Sequence, residues 1–222
     1  MYSINKSEVF RYLGNTGQDV PKDIDTLSDR LIEKALRLLN PKYTYRISDL
    51  EFSETGIELK DTNLTLTGRD ISEHLKGAKK CITLACTLGV AFETELSRLQ
   101  AKSVTEALIF DAVGTAFTEA VADKSEEELL LPFKREGYFS KFRFSPGYGD
   151  LPITLQKDII ATLDATKRIG LTVTHTNILI PRKSVTAFIG IFDTPQKKPH
   201  SKCEICSARS MCSMRKDGKA CD

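Results

Sequence analysis

Residues 143–152 read Arg-Phe-Ser-Pro-Gly-Tyr-Gly-Asp-Leu-Pro and close an alternating aromatic run, Tyr138 to Phe144. In a strand, that alternation puts Tyr138, Ser140, Phe142 and Phe144 on one face and Phe139, Lys141 and Arg143 on the other. Proline fixes one backbone angle and glycine permits left-handed ones, so Ser145-Pro146-Gly147 predicts a stiff, sharply turned loop. Arg143 faces away from Phe142 and Phe144, at the mouth of that loop. A loop presenting Arg143 and Tyr148 beside bare backbone amides suits a small ligand with a carboxylate and a flat ring. The plainer reading is a strand-to-helix turn that only has to be tight.

Outward from the loop, Leu155, Ile159, Ile160 and Leu163 mark a helix, and Gly170–Thr174, Asn177–Pro181 and Ser184–Phe192 read as extended. Thr172, Thr174 and Thr176 alternate on a wet face, with His175 exposed among them. Upstream, the continuous apolar run Cys81–Cys86 predicts a buried central strand and makes both cysteines core residues. A helix is expected past Gly89, with Val90, Phe92 and Leu96 on its buried side. Ser103 and Glu106 form a capping box for a long helix ending near Asp123. Its small residues Ala112, Gly114, Ala116 and Ala120 admit a close neighbour, either another backbone or a ligand. Glu119 sits among them, facing solvent or held by a cationic group. Lys124–Glu128 reads as a charged turn.

Earlier still, Ile24, Leu27, Leu31, Ala35, Leu38 and Leu39 form one apolar stripe of a helix stopped at Asn40-Pro41. Tyr43–Phe52, Gly56–Lys60 and Asn63–Thr67 read as a small antiparallel meander. Asp70 and Glu73 look like a capping box for a short helix, in which His74 is read as solvated or capping. The irregular order of helices and strands predicts an α+β fold around a mainly antiparallel sheet.

Composition bounds the function. The 222 residues are enough for a large core, and a net charge of +2 offers no basic surplus for nucleic acid or an anionic membrane. No apolar run approaches the ~20 residues that span a bilayer. Six cysteines and an N-terminus without a signal-like apolar stretch point to a reducing cytoplasm. Composition changes at Pro195, dividing the chain into a domain over 1–195 and a cysteine-rich tail over 196–222. Cys203, Cys206, Cys212 and Cys221 are spaced to enclose zinc or ligate an iron–sulfur cluster, with His200 as a weaker ligand.

Arg143-x-Ser145-Pro146-Gly147-Tyr148, with Pro152, Lys157, Gly170, Pro181 and Ser184-Val185 downstream, resembles the signature loop of the activation domain of cobalamin-dependent methionine synthase. The likeness covers about fifty residues without gaps, and the small-residue helix upstream loosely. It implies a C-shaped α+β domain, a mainly antiparallel twisted sheet flanked by helices, that binds S-adenosylmethionine. It implies a role in reductive methylation of oxidised cobalamin, with a flavodoxin- or ferredoxin-like carrier donating the electron. On that resemblance Arg143 holds the methionine carboxylate, and Ser145, Pro146 and Gly147 line the adenine. Tyr148 lies between S-adenosylmethionine and the corrin, as the residue nearest the chemistry. The family's acidic ligand contact falls at Thr115, with Glu119 one turn later. Lacking substrate and cobalamin modules, the chain is expected to act in trans on a methionine synthase core or corrinoid protein. Two other readings stand beside this one: a metal-centred redox or assembly protein built on the tail cysteines, and a module that senses S-adenosylmethionine without chemistry.

Overall fold

A computed structural model of the chain describes residues 2–15 and 17–196. Its organising element is strand β4 (Lys80–Thr87), where every residue after Lys80 is buried. A strand with no wet face must satisfy its backbone along both edges. One neighbour is β8 (Ser184–Phe192), buried from Thr186 onward. The Lys79 N–H donates to Ile191 O at 2.7 Å and the Leu88 N–H to Lys183 O at 2.9 Å, so this pair runs antiparallel. The other neighbour is β1 (Lys42–Ser53). The Asn40 N–H reaches Leu88 O at 3.1 Å, and Lys80 meets Asp49 at 2.6 Å, the same antiparallel sense. With β2 (Gly56–Leu59), β3 (Thr65–Leu66) and β5 (Phe139–Ser140), the sheet order is β3-β2-β1-β4-β8-β5. The fold is α+β with an antiparallel sheet, as expected.

The chain forms two compact units. The first comprises Met1–Thr44, Ala85–Leu129 and Leu163–Val185. The second comprises Tyr45–Leu84, Leu130–Thr162 and Thr186–Asp222, so far as these are described. Strands β1, β4 and β8 contribute residues to both.

The first unit is built on helices. α1 (Lys6–Tyr12) is capped by Asn5, whose side chain accepts from the Ser7 N–H. α2 (Lys22–Leu38) buries Leu31 and Ala35 of the apolar stripe. α4 (Val90–Gln100) buries Phe92 and Leu96, but Val90, expected inside, is 71% exposed. It is the first helical residue after Gly89, two residues before the buried stripe begins at Phe92. α5 (Val104–Arg135) starts as predicted, with the Ser103 hydroxyl accepting from the Glu106 N–H at 3.3 Å. It does not end near Asp123. Lys124 and Glu126–Glu128 are good helix formers, no glycine interrupts them, and the helix continues through Pro132. The small-residue stretch of α5 is filled from within this unit. Phe92 and Phe110 stack at 4.3 Å, and the Phe92 ring lies where a Cβ on Gly114 would be, 2.5 Å away. The antiparallel pair β6 (Thr172–Val173) and β7 (Leu179–Ile180) completes the unit.

The second unit holds α3 (Arg69–Leu75), residues 143–152, a 3-10 turn (Ile153–Leu155) and α6 (Gln156–Thr162). A further short helix, α7 (Ala165–Ile169), falls in the first unit. No helix among the described residues is long and apolar enough to cross a membrane. Cys81 and Cys86 are buried free thiols, and burial pushes the Cys81 thiol up to about 12, as an inert core cysteine requires.

Because Phe92 is fully buried, a side chain at position 114 has to displace its ring. Gly114→Val is expected to lower unfolding stability by about 1–3 kcal/mol, seen as a lower midpoint in urea. An unchanged midpoint would contradict this packing.

Candidate functional site

The aromatic run is only partly strand. β5 pairs Phe139 with Phe192 and Ser140 with Ile191, and pairing resumes as an isolated bridge between Phe144 and Phe188. Four steps along this segment therefore oppose three along β8, which marks a bulge between Ser140 and Phe144. Strict alternation to Arg143 is lost there. Phe142 and Phe144 nonetheless share a side, because both rings contact His74, at 4.5 and 5.1 Å. Arg143 is half-buried beside the Phe144 bridge, which is tied by hydrogen bonds of 2.9 and 2.8 Å to Phe188.

The turn has the chemistry that its residues demand. The Tyr148 N–H donates to Ser145 O at 3.0 Å across Pro146 and Gly147, and Gly147 has φ +93°. Proline followed by a glycine at positive φ is the type II arrangement. A second turn comes directly after it, with the Leu151 N–H on Tyr148 O at 3.0 Å and Gly149 at φ +53°. The Gly147 N–H closes the loop onto Leu151 O at 2.9 Å. The expectation of bare amides is thereby corrected at Gly147 and Tyr148: both N–H groups bond inside the loop, because two successive tight turns consume them. A flat ring meeting this loop would use backbone carbonyls and apolar surface. Pro146 is buried, Ser145 half-buried, and the Tyr148 ring is 60% exposed, edge-on to Phe144 at 6.2 Å.

The loop is docked on α3. The Asp150 carboxylate accepts from the Arg69 N–H at 2.7 Å and the Asp70 N–H at 3.1 Å, and so caps a helix whose own N-cap residue is Gly68. The capping box expected at Asp70 and Glu73 is not what starts this helix; the cap comes from eighty residues further along the chain. Burial works against the charged form of Asp150, but the donated N–H groups of Arg69, Asp70 and Asp150 itself outweigh it, and the carboxyl lies below the usual carboxylate range.

His74 differs from its sequence reading too. It is 7% exposed, its Nε2 lies 3.0 Å from Phe142 O, and the Lys141 ammonium donates to His74 O at 2.8 Å. A carbonyl only accepts, so Nε2 carries the proton of a neutral ring. Desolvation first, then the Lys141 charge, push its pKa down to about 4, against a weaker pull from Phe142 O. The isolated histidine gave no sign of this in sequence, because the contact is with a segment 68 residues away.

Thr115 and Glu119 lie in the first unit, one turn apart on α5, whereas residues 143–152 belong to the second. The Thr115 hydroxyl donates to Asp111 O at 3.1 Å and accepts from Lys183 Nζ at 2.9 Å, while Lys183 also pairs with Asp111 at 3.0 Å. Lys183, which sequence reasoning passed over, thus lies along the α5 face next to Gly114. Glu119 is exposed, and its charge helps to raise the pKa of the Tyr12 phenol, after desolvation. Cys203, Cys206, Cys212, Cys221 and His200 lie outside the described residues. Among the described residues no group of three or more His, Cys, Asp or Glu side chains is arranged to hold a metal.

The α+β fold thus carries Arg143 and the exposed Tyr148 on either side of the Pro146-Gly147 turn. The chain is similar to a solved structure of the MetH reactivation domain bound to AdoHcy, at a TM-score of 0.65 and 16% identity. The match covers 98% of this chain and 82% of that one, and it establishes the fold expected from the resemblance. No family model matches the chain, and no curated protein does.

The neutral His74 sets a pH dependence. Its folded pKa lies below the ordinary 6.5, so the unfolded chain takes up a proton first, and stability falls as pH drops from about 6.5 towards about 4. The loss is on the order of 3 kcal/mol at most. Chemical denaturation across that window should show it, and His74→Gln should flatten this component. An equal slope in the variant would remove His74 as its source.

Proposed function

We propose that this chain binds S-adenosylmethionine and supports the reductive methylation of a cobalamin held by a methionine synthase core or a related corrinoid protein. The observation that carries the reading is the fold likeness over nearly the whole chain to a domain solved with AdoHcy, the molecule left when S-adenosylmethionine gives up its methyl. The loop chemistry supports it independently. In this reading Arg143 binds the methionine carboxylate by charge-assisted hydrogen bonds, which guanidinium geometry favours. A backbone stripped of side-chain bulk at Gly147, where only Ile153 approaches a built Cβ at 3.4 Å, lets a flat adenine lie close to the turn. Ser145 and Pro146 form the rest of that edge. The exposed Tyr148 ring is the group that would stand between bound ligand and the corrin.

Cobalamin, when a partner brings it, supplies a reduced cobalt that takes the sulfonium methyl, with the reducing electron coming from a flavodoxin- or ferredoxin-like donor. This chain's part is positioning: binding both ends of the ligand removes orientational freedom before the methyl moves, and no side chain has to transfer a proton. Thr115 and Glu119 are carried over from the resemblance alone, as candidates for the ligand's ammonium.

The test has two arms. Calorimetry should show AdoHcy and S-adenosylmethionine binding to the whole chain, with Arg143→Ala weakening affinity at least tenfold; equal affinity would remove Arg143 from the site. A cob(II)alamin-bound synthase core supplied with reductant and S-adenosylmethionine should regain activity only when this chain is added. Reactivation at the same rate without it would overturn the function for that partner.

The tail cysteines carry a separate proposal on the chemistry of the donor set: four thiolates suit zinc or an iron–sulfur cluster. Metal analysis of anaerobically purified protein should find stoichiometric zinc or iron, lost on Cys203→Ser with Cys206→Ser. Metal-free protein would end that proposal.

A further inference from the structure

Helix α3 touches residues 141–150 at both of its ends. At its N-terminus the Asp150 carboxylate accepts from the Arg69 and Asp70 N–H groups. At its C-terminus the Lys141 ammonium donates to His74 O, and the His74 ring donates to Phe142 O. A carboxylate at the N-terminus and an ammonium at the C-terminus both complement the helix dipole. Arg143 and Tyr148 lie between these two attachments.

The N-terminal attachment has been given room on both sides. Gly68 has φ +133°, and a Cβ there would fall 2.5 Å from Asp150 Oδ1. A Cβ on Gly149 would collide with the Asp70 carboxylate. Glycine at 68 cannot cap the helix with a side chain, so the cap has to come from the loop. The order of α3 and the order of the loop are therefore coupled through one carboxylate.

We propose that α3 is a splint for the ligand loop and that Asp150 is its positioning residue. The carboxylate holds Arg143 and the Ser145–Gly147 turn in the geometry that receives the carboxylate and adenine ends of S-adenosylmethionine, so that affinity depends on a residue that does not touch the ligand. This rests on the function proposed above. Pre-organisation is the physical basis: a loop ordered before binding spends none of its interaction energy on ordering itself.

The experiment compares wild type, Asp150→Ala and Asp150→Asn as full chains, at a temperature where circular dichroism shows all three folded. AdoHcy is the calorimetric probe, and hydrogen exchange is followed in peptides over 141–151, 68–75 and strands β4 and β8. The expected result is AdoHcy affinity at least tenfold weaker in Asp150→Ala. Asp150→Asn, which keeps one acceptor oxygen, should lie between it and wild type. Exchange should rise in the loop and α3 peptides of Asp150→Ala and stay unchanged in β4 and β8, and saturating AdoHcy should restore protection of the loop. A residue important only for stability would lower the melting temperature and leave the affinity of the folded protein untouched; that outcome overturns the proposal while wild-type binding stands. Wild type that binds no AdoHcy overturns the parent reading instead, and unchanged exchange at 141–151 in Asp150→Ala overturns the splint whatever the binding result.

Discussion

A strand buried on both faces has no water to turn to, and β4 is such a strand. Its backbone groups are satisfied by β1 along one edge and β8 along the other, and that requirement fixes the sheet. From β8 the consequence passes to the Phe144–Phe188 bridge, which pins the backbone beside Arg143. The bulge before this bridge gives the segment one more residue than β8 supplies opposite it. Immediately after it, Pro146 and Gly147 turn the chain away from the sheet. The position of Arg143 thus arises from a hydrogen-bonding obligation in the core.

The charges around the loop obey a different logic. His74 is buried against two phenylalanines and stays neutral, so it contributes a directed hydrogen bond without bringing a cation under the loop. Lys141, half-buried nearby, has its pKa lowered by desolvation yet finds a carbonyl to bond. In the other unit, Lys183 is matched by Asp111 and Thr115 on α5. Each of these polar groups is thus matched by a local partner of the right kind.

Legibility in the sequence tracked the range of the forces involved. The α2 stripe, the apolar run of β4 and the Ser103 cap rest on patterns within a few residues, and each stands where its pattern put it. The Pro-Gly turn is local as well, which is why residues 145–148 could be read directly. Where polarity and propensity disagreed, at Lys124–Glu128, polarity suggested a turn, but helix-forming lysine and glutamates carried α5 onward. Three other differences from the sequence reading involve distant partners. The burial of His74 depends on Phe142 and Phe144, the cap of α3 on Asp150, and the occupancy of the Gly114 notch on Phe92 and Lys183. A capping box at Asp70 and Glu73 was a sound local inference, displaced by a carboxylate that no window around residue 70 contains.

The same distinction bears on how 16% identity can accompany a TM-score of 0.65. Core positions need only be apolar and of suitable volume, so they can change freely while the backbone persists. The turn at Pro146-Gly147 is under a stricter demand, because a type II turn needs its glycine. Between these lies the support that holds the loop. A helix end can be capped by its own residue or by one brought from elsewhere, and here Gly68 and Gly149 commit the chain to the second solution. The end of α3 is therefore held by a carboxylate eighty residues further along the chain.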